Sequence, residues 1–250
     1  MTVKMEEMSW VDIEESMDDG KDTALIMLGS IEQHGPHLPL GTDTYISDAL
    51  GEKIAEKLDF ALLAPTIRPG VSAHHMDFPG TISISPRLLM DLVKEYCEAL
   101  DKHGFEYIVL IPFHGGNFDP VKTTAPEIAR DMKNASIITI ADLEKQLVLM
   151  NQAMKDAGID YEEPVIHSGA SETSVMLSIK KELVNMDEME KGYEGPVPVS
   201  LLFSKGLRHF TENGVLGDPT KGNTKAGDYI LEKLSSNIAE QIEEERSKIG

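Results

Sequence analysis

The chain of 250 residues carries 43 acidic side chains against 23 basic ones, a formal charge of −20 at pH 7. That balance excludes nucleic acid and anionic membrane as partners, because phosphate recognition needs clustered Lys and Arg. Hydrophobic residues at 41% and charged residues at 26% exclude a disordered or fibrous chain, and the length suits one domain spanning 1–250.

Cys97 is the only cysteine, so no intramolecular disulfide forms, which suits a reducing compartment. Residues 1–15 lack the apolar core of a secretory signal. No run reaches the ~18 apolar residues of a membrane span. A cytoplasmic protein is expected.

The first element is an apolar run at 24–28, the pattern of a strand buried on both faces. Residues 44–58 carry Ile46, Ala49, Leu50, Ile54 and Leu58 in a helical stripe. A short strand follows at 61–63. Ser85 and Pro86 read as the N-cap and first residue of a helix that ends at Gly104. The run 107–111 is the clearest strand. A helix at about 121–133, a strand at 136–140 and a helix near 143–157 continue the alternation. Segments 158–168 and 182–222 are rich in Gly, Pro and Glu and read as irregular, functional loops or oligomer contacts. Ile230, Leu234, Ile238 and Ile242 step along a terminal helix. Alternating strands and helices predict a mainly parallel sheet covered by helices on both faces, with ligands at the carboxyl ends of its strands.

Three segments carry candidate chemistry. The first, GSIEQHGPHLPLGTD at 29–43, directly follows the first strand. Glu32 and His34 are two apart, so on extended backbone they point the same way. Asp43 lies just before a helix, where its carboxylate either bridges two ions or caps the helix. The second is PFHGGN at 112–117, with His114 at a strand end and Gly115 and Gly116 allowing close backbone approach to a ligand. It lacks the spacing of nucleotide-binding glycine loops, which leaves a nucleotide-binding α/β protein the weaker alternative. The third is HSGASETS at 167–174, where Glu172 would begin a short helix and point into the same cleft, or merely cap it.

Together, and in this order, the E-x-H…G-T-D loop, the H-G-G-N turn and the H-x-G-x-x-E-T-S segment resemble the creatininase (creatinine amidohydrolase) family. An F-P-G-T loop at 78–81 and a G-V-x-G-D-P turn at 214–219 extend the resemblance over nearly the whole chain. It implies a three-layer α/β/α sandwich with a mainly parallel central sheet. It also implies two divalent metal ions per chain (Zn, Mn or Fe) and a homo-oligomer, hexameric in the family. Glu32, Asp43 and His114 would hold one ion; His34, Asp43 and a further carboxylate the other, with Asp43 bridging. In creatininase that carboxylate comes two residues after the histidine matching His114. Here the position is Gly116, and Glu172 is expected to fill the gap. His167 matches the histidine held to move protons, so His167 and Glu172 are the expected catalytic residues. His75, Gly115, Gly116 and Asn117 are the expected substrate contacts.

The implied reaction is hydrolysis of a non-peptide C–N bond, in a small cyclic or formyl amide, by a metal-activated hydroxide. The tryptophans that hold creatinine's ring in creatininase have no counterpart. Trp10 is the only Trp, and Glu163 stands four residues before His167, where one of them would fall. The H-G-G-N branch also resembles formamidopyrimidine-type deformylases of flavin and deazaflavin biosynthesis and the peptidase of the mycofactocin precursor. A metal-binding protein without catalysis is the alternative of another class.

Overall fold

The structure is a computed structural model that describes residues 2–249. Four parallel strands, β1 (Thr23–Leu28), β2 (Ala61–Leu63), β3 (Tyr107–Pro112) and β4 (Ser136–Thr139), lie in the order β2-β1-β3-β4. β1 and β3 pair along their whole length, from Thr23 opposite Tyr107 to Leu28 opposite Pro112.

The pleat sorts the core. Leu25, Met27, Val109 and Ile111 face one cluster, while Ala24, Ile26, Leu28, Ile108 and Leu110 face another. Because both faces are covered, these strands are apolar throughout rather than alternating. Helices α1 (Trp10–Asp18), α3 (Pro86–His103) and α4 (Phe118–Asp131) cover one face. α2 (Thr42–Lys57), α5 (Leu143–Asp156), α6 (Ala170–Ile179) and α8 (Thr224–Ile249) cover the other. This is the expected three-layer α/β/α sandwich. Among the described residues no helix is long and apolar enough to cross a membrane.

Local signals explain most boundaries. The Ser85 hydroxyl accepts the Leu88 amide, Pro86 opens α3, and Gly104 ends it at φ 97°, where a side chain would be strained. Cys97 is buried beside Val93 and Leu100 as core filling. Ile230, Leu234, Ile238 and Ile242 of α8 are all buried.

Four places differ from the sequence reading. α2 starts at Thr42, not 44, because the loop before it closes on itself: Glu32 N donates to Leu40 O at 2.9 Å and the Thr42 hydroxyl to Pro39 O at 2.7 Å. Asp43 therefore sits inside the first turn rather than ahead of it. α6 starts at Ala170, two residues before Glu172. α1, not anticipated, is secured by a capping box between Ser9 and Asp12. Finally, the segment 182–222, read as irregular, contains α7 (Val199–Lys205) and several 3-10 turns. Short helices bounded by Pro198 and Gly206 leave too few periodic residues to be seen in sequence.

Candidate metal centre

Parallel strands place every strand-to-helix turn at one edge of the sheet. The loop after β1 brings Glu32, Gln33, His34 and His37 there, and the turn after β3 brings His114 to the same edge. α2 contributes Asp43 from its first turn, and the segment entering α6 contributes His167 and Glu172. Glu32, His34, Asp43, His114, His167 and Glu172 are all buried.

Ligand-competent atoms of Glu32, Asp43 and His114 lie within 4.8 Å of one another, as do those of His34, Asp43 and Glu172; Glu32, His34 and His167 form a third such group. Asp43 belongs to the first two, one oxygen to each side. Its Oδ1 lies 3.2 Å from His34 Nε2 and its Oδ2 3.2 Å from His114 Nδ1. The Ser30 hydroxyl donates to Oδ2 at 2.7 Å and steadies the carboxylate.

Both histidines are oriented by main chain. The second nitrogen of His114, Nε2, meets the Val71 carbonyl at 3.0 Å, so Nδ1 is left as the lone-pair atom. His34 Nδ1 lies 3.2 Å from the Glu32 carbonyl, which leaves Nε2 facing the centre. That Nε2 and Glu32 Oε2 are buried without a hydrogen-bond partner. Buried polar atoms rarely stay unsatisfied.

The charge balance points the same way. Three buried carboxylates converge, and among the described residues their only ion-pair partners are histidines. Burial opposes protonation of His34, yet the charges of Asp43, then Glu172 and Glu32, raise its pKa to about 10. His114 is likewise raised against burial by Glu32 and Asp43. Asp43 is held well below the usual carboxylate range, chiefly by His34 acting against burial. Burial pushes Glu172 up to about 7, with His34 opposing. Isolated, the chain neutralises its carboxylates with borrowed protons. Two divalent cations would do so with permanent charge, and this oxygen and imidazole donor set fits zinc, manganese or iron.

Glu172 carries both features weighed for it. Its Oε2 accepts the Ser168 amide at 2.6 Å and lies 3.6 Å from His34 Nε2. The amides that open α6 have another acceptor. Buried Glu163 takes the Ser171 amide and hydroxyl, and is itself held by Asn151, whose Oδ1 accepts its N–H at 2.9 Å. With those amides served, Glu172 keeps a face for the centre. Glu163 thus does scaffold work at the start of α6.

The H-G-G-N turn divides its labour. Gly115 has open space where a side chain would stand, whereas a Cβ on Gly116 would come 2.0 Å from the Val71 carbonyl that orients His114. No carboxylate fits at Gly116. Asn117 spends its side chain on the scaffold: Nδ2 donates to Gly29 O at 2.8 Å and Oδ1 accepts Val71 N at 3.0 Å. His75 is also engaged, its Nε2 3.3 Å from Glu32 Oε1. Of the four expected substrate contacts, Gly115 alone is exposed. His37, at 2.9 Å from the Thr173 hydroxyl, braces the metal loop against α6. Sequence reasoning passed over Gln33 and Ser30, which carry no metal-ligand signature of their own.

The creatininase family, described as creatinine amidohydrolase, matches residues 6–242. This chain belongs to it. A mycofactocin precursor peptide peptidase of Mycobacterium ulcerans (strain Agy99) is 33% identical over 228 residues, covering 87% of this chain and 83% of that protein. A creatinine amidohydrolase of Pseudomonas putida is 24% identical over 251 residues, covering 96% and 95%. A creatininase point mutant of zinc–zinc type superposes with a TM-score of 0.82 at 22% identity, over 98% of each chain. By kinship this chain is a creatininase-family amidohydrolase, and its buried donor groups could hold metal ions. The relatives also include a peptidase, so the family's reach extends beyond the non-peptide amides expected from the sequence.

Proposed function

We propose that this chain is a dinuclear metal-dependent amidohydrolase that cleaves a C–N bond of a small cyclic or formyl amide. The observation that carries the reading is the pair of ligand groups joined at Asp43, buried, rich in carboxylate and without Lys or Arg. Glu32, Asp43 and His114 would hold one cation; His34, Asp43 and Glu172 the other. When bound, the cations lower the pKa of water towards about 7 and stabilise charge on the former carbonyl oxygen.

The chain's own residues do the rest. Asp43 sets the spacing of the two positions through its two oxygens, and Ser30 stops it rotating. Val71 O and Glu32 O fix the imidazole faces of His114 and His34. Burial excludes bulk water, so each charge in the cleft acts at full strength. His167 Nδ1 lies 3.8 Å from Glu32 Oε1, beside both groups, where a ring nitrogen would meet a bound substrate.

The indoles expected around creatinine's ring have no counterpart in the cleft. Trp10 is 76% exposed on α1 and Glu163 is occupied at the base of α6, so no indole is present to clamp a planar ring. A second reading, a peptide amide as substrate, is favoured by the 33% identity to a named peptidase against 24% to the named creatinine amidohydrolase. The exposed Val199 and Phe203 of α7 also suit packing against another copy of the chain.

One experiment tests the core of this reading. Purified protein is reconstituted with zinc or manganese, analysed for metal, and screened against creatinine, formylaminopyrimidine nucleotides, small lactams and C-terminal dipeptide amides, with formate, ammonia and amine measured. About two ions per chain and release of one product class support the reading. Fewer than one ion per chain, or metal without hydrolysis of any probe, overturns it.

A further inference from the structure

Gln33 lies between two candidate ligands and belongs to none of the ligand groups. The Gly35 N–H donates to its Oε1 at 2.9 Å, and its Nε2 donates to the Gly214 carbonyl at 3.1 Å. Turning the amide over would set oxygen against oxygen at Gly214 and hydrogen against hydrogen at Gly35. Both partners are main chain, with no tautomer to change, so the amide orientation is fixed from two sides. Gly214 is shaped for this contact. Its φ is +80°, and a Cβ there would come 2.0 Å from Gln33 Oε1.

With the orientation fixed, the Gln33 NH2 group faces His167 Nε2 at 2.7 Å and His75 Nδ1 at 3.2 Å. An NH2 group has two hydrogens, and one goes to Gly214. The other goes to the nearer ring, His167. A hydrogen on His167 Nε2 would oppose donor to donor at hydrogen-bond distance, which disfavours the Nε2–H tautomer of the neutral ring. The ring's hydrogen is left on Nδ1, the atom 3.8 Å from Glu32 Oε1.

We propose that Gln33 is a positioning residue that fixes the resting, neutral His167 as its Nδ1–H tautomer, so that His167 presents an N–H rather than a lone pair to the centre. This rests on the dinuclear amidohydrolase reading for its use but not for its geometry. A neutral N–H aimed at the centre stabilises developing negative charge on the substrate. The same geometry removes His167 from the third ligand group. It also leaves His75 with its hydrogen on Nε2, pointed at Glu32 Oε1 at 3.3 Å, so that Glu32 turns its unpartnered Oε2 to a cation.

The test is long-range proton–nitrogen correlation NMR on protein labelled with 15N-histidine, in the metal-free and zinc-loaded forms, with His167 assigned by its loss in His167→Ala. Native protein should show His167 with a bare Nε2 and a hydrogen on Nδ1 in both forms. Gln33→Glu presents acceptors to both faces and should move the hydrogen to Nε2. Gln33→Met keeps the bulk, removes the donor and should give a mixture of tautomers. A native His167 with hydrogen on Nε2, on both nitrogens, or with Nδ1 bound to zinc overturns the proposal, as does an unchanged pattern in a folded Gln33 variant. The native spectrum decides even if neither variant folds. It also decides if no amide is ever hydrolysed, so the failure of the functional reading is seen separately.

Discussion

The two ends of the sheet treat carboxylates in opposite ways. At the amino end, Asp22 precedes β1 and accepts Arg246 from the last turn of α8, with Nη2 at 3.0 Å from Oδ2. That guanidinium lies 4.0 Å from the ring of Phe60 and 4.2 Å from that of Tyr107, so the cation is held by stacking as well as by charge. Arg246 keeps Asp22 below the ordinary carboxylate range against the pull of burial. Asp101, in the last turn of α3, accepts the amides of Lys133, Asn134 and Ala135. Both of these acids find their partners within the chain. At the carboxyl end, Glu32, Asp43 and Glu172 are more deeply buried, and among the described residues their only ion-pair partners are imidazoles. The contrast shows that the fold has the means to neutralise an acid and withholds them at the centre. A buried carboxylate cluster left without cations of its own is arranged for cations from outside.

The strongest break of this contrast is Asp43→Asn, which removes the carboxylate shared by both groups. Metal content should fall from about two ions to less than one, with affinity lost well beyond the roughly 10–100-fold that an outer partner costs. Two retained ions would sink the bridging role. Glu172→Gln should empty one position and spare the other, giving about one tight ion per chain and little turnover. A variant that is only less stable, with metal intact, would make Glu172 a cap and no more. His167→Ala should leave metal content unchanged and slow turnover by about 100-fold to 10,000-fold. Metal loss there would count His167 among the ligands.

Two weaker effects sharpen the same contrast. In metal-free protein His34 and His114 hold protons that the unfolded chain releases at ordinary histidine pKa. A raised folded pKa contributes stability that is full below about 6.5 and lost as pH rises through the folded value, about 10 for His34. Thermal melting of metal-free protein should therefore decline from pH 7 to pH 10. Zinc-loaded protein should not share that decline, and zinc uptake at pH 7 should release protons, measurable by calorimetry in two buffers. Flat metal-free melting over that range would argue against the borrowed protons. At the amino end, Arg246→Gln should cost about 1 kcal/mol, a fall of roughly 2–4 °C in melting temperature, with metal content untouched. Loss of metal in that variant would mean the two ends are not independent.

Much of the fold was written locally. The runs at 24–28 and 107–111 are apolar because both faces of a parallel sheet are covered, and Ser85, Pro86 and Gly104 bound α3 by capping and backbone rules that act within a few residues. Family kinship was legible for a similar reason: Glu32, His34, Asp43, His114, His167 and Glu172 stand in short motifs whose order survives in the chain. What those residues do for one another was not legible, because it depends on contacts far apart in sequence. The sequence alone left Glu172 between ligand and cap. Tertiary structure brings Glu163 to the amides of α6 and so gives Glu172 a face towards His34. Sequence marked Gly116 only as unable to ligate; the Val71 carbonyl beside it explains why no side chain is tolerated there. Gln33 carried no signal at all. Its place is decided by Gly35 on one side and Gly214 on the other. A hydrogen-bond direction closed by residues nearly two hundred positions apart in the chain exists only once the chain has folded.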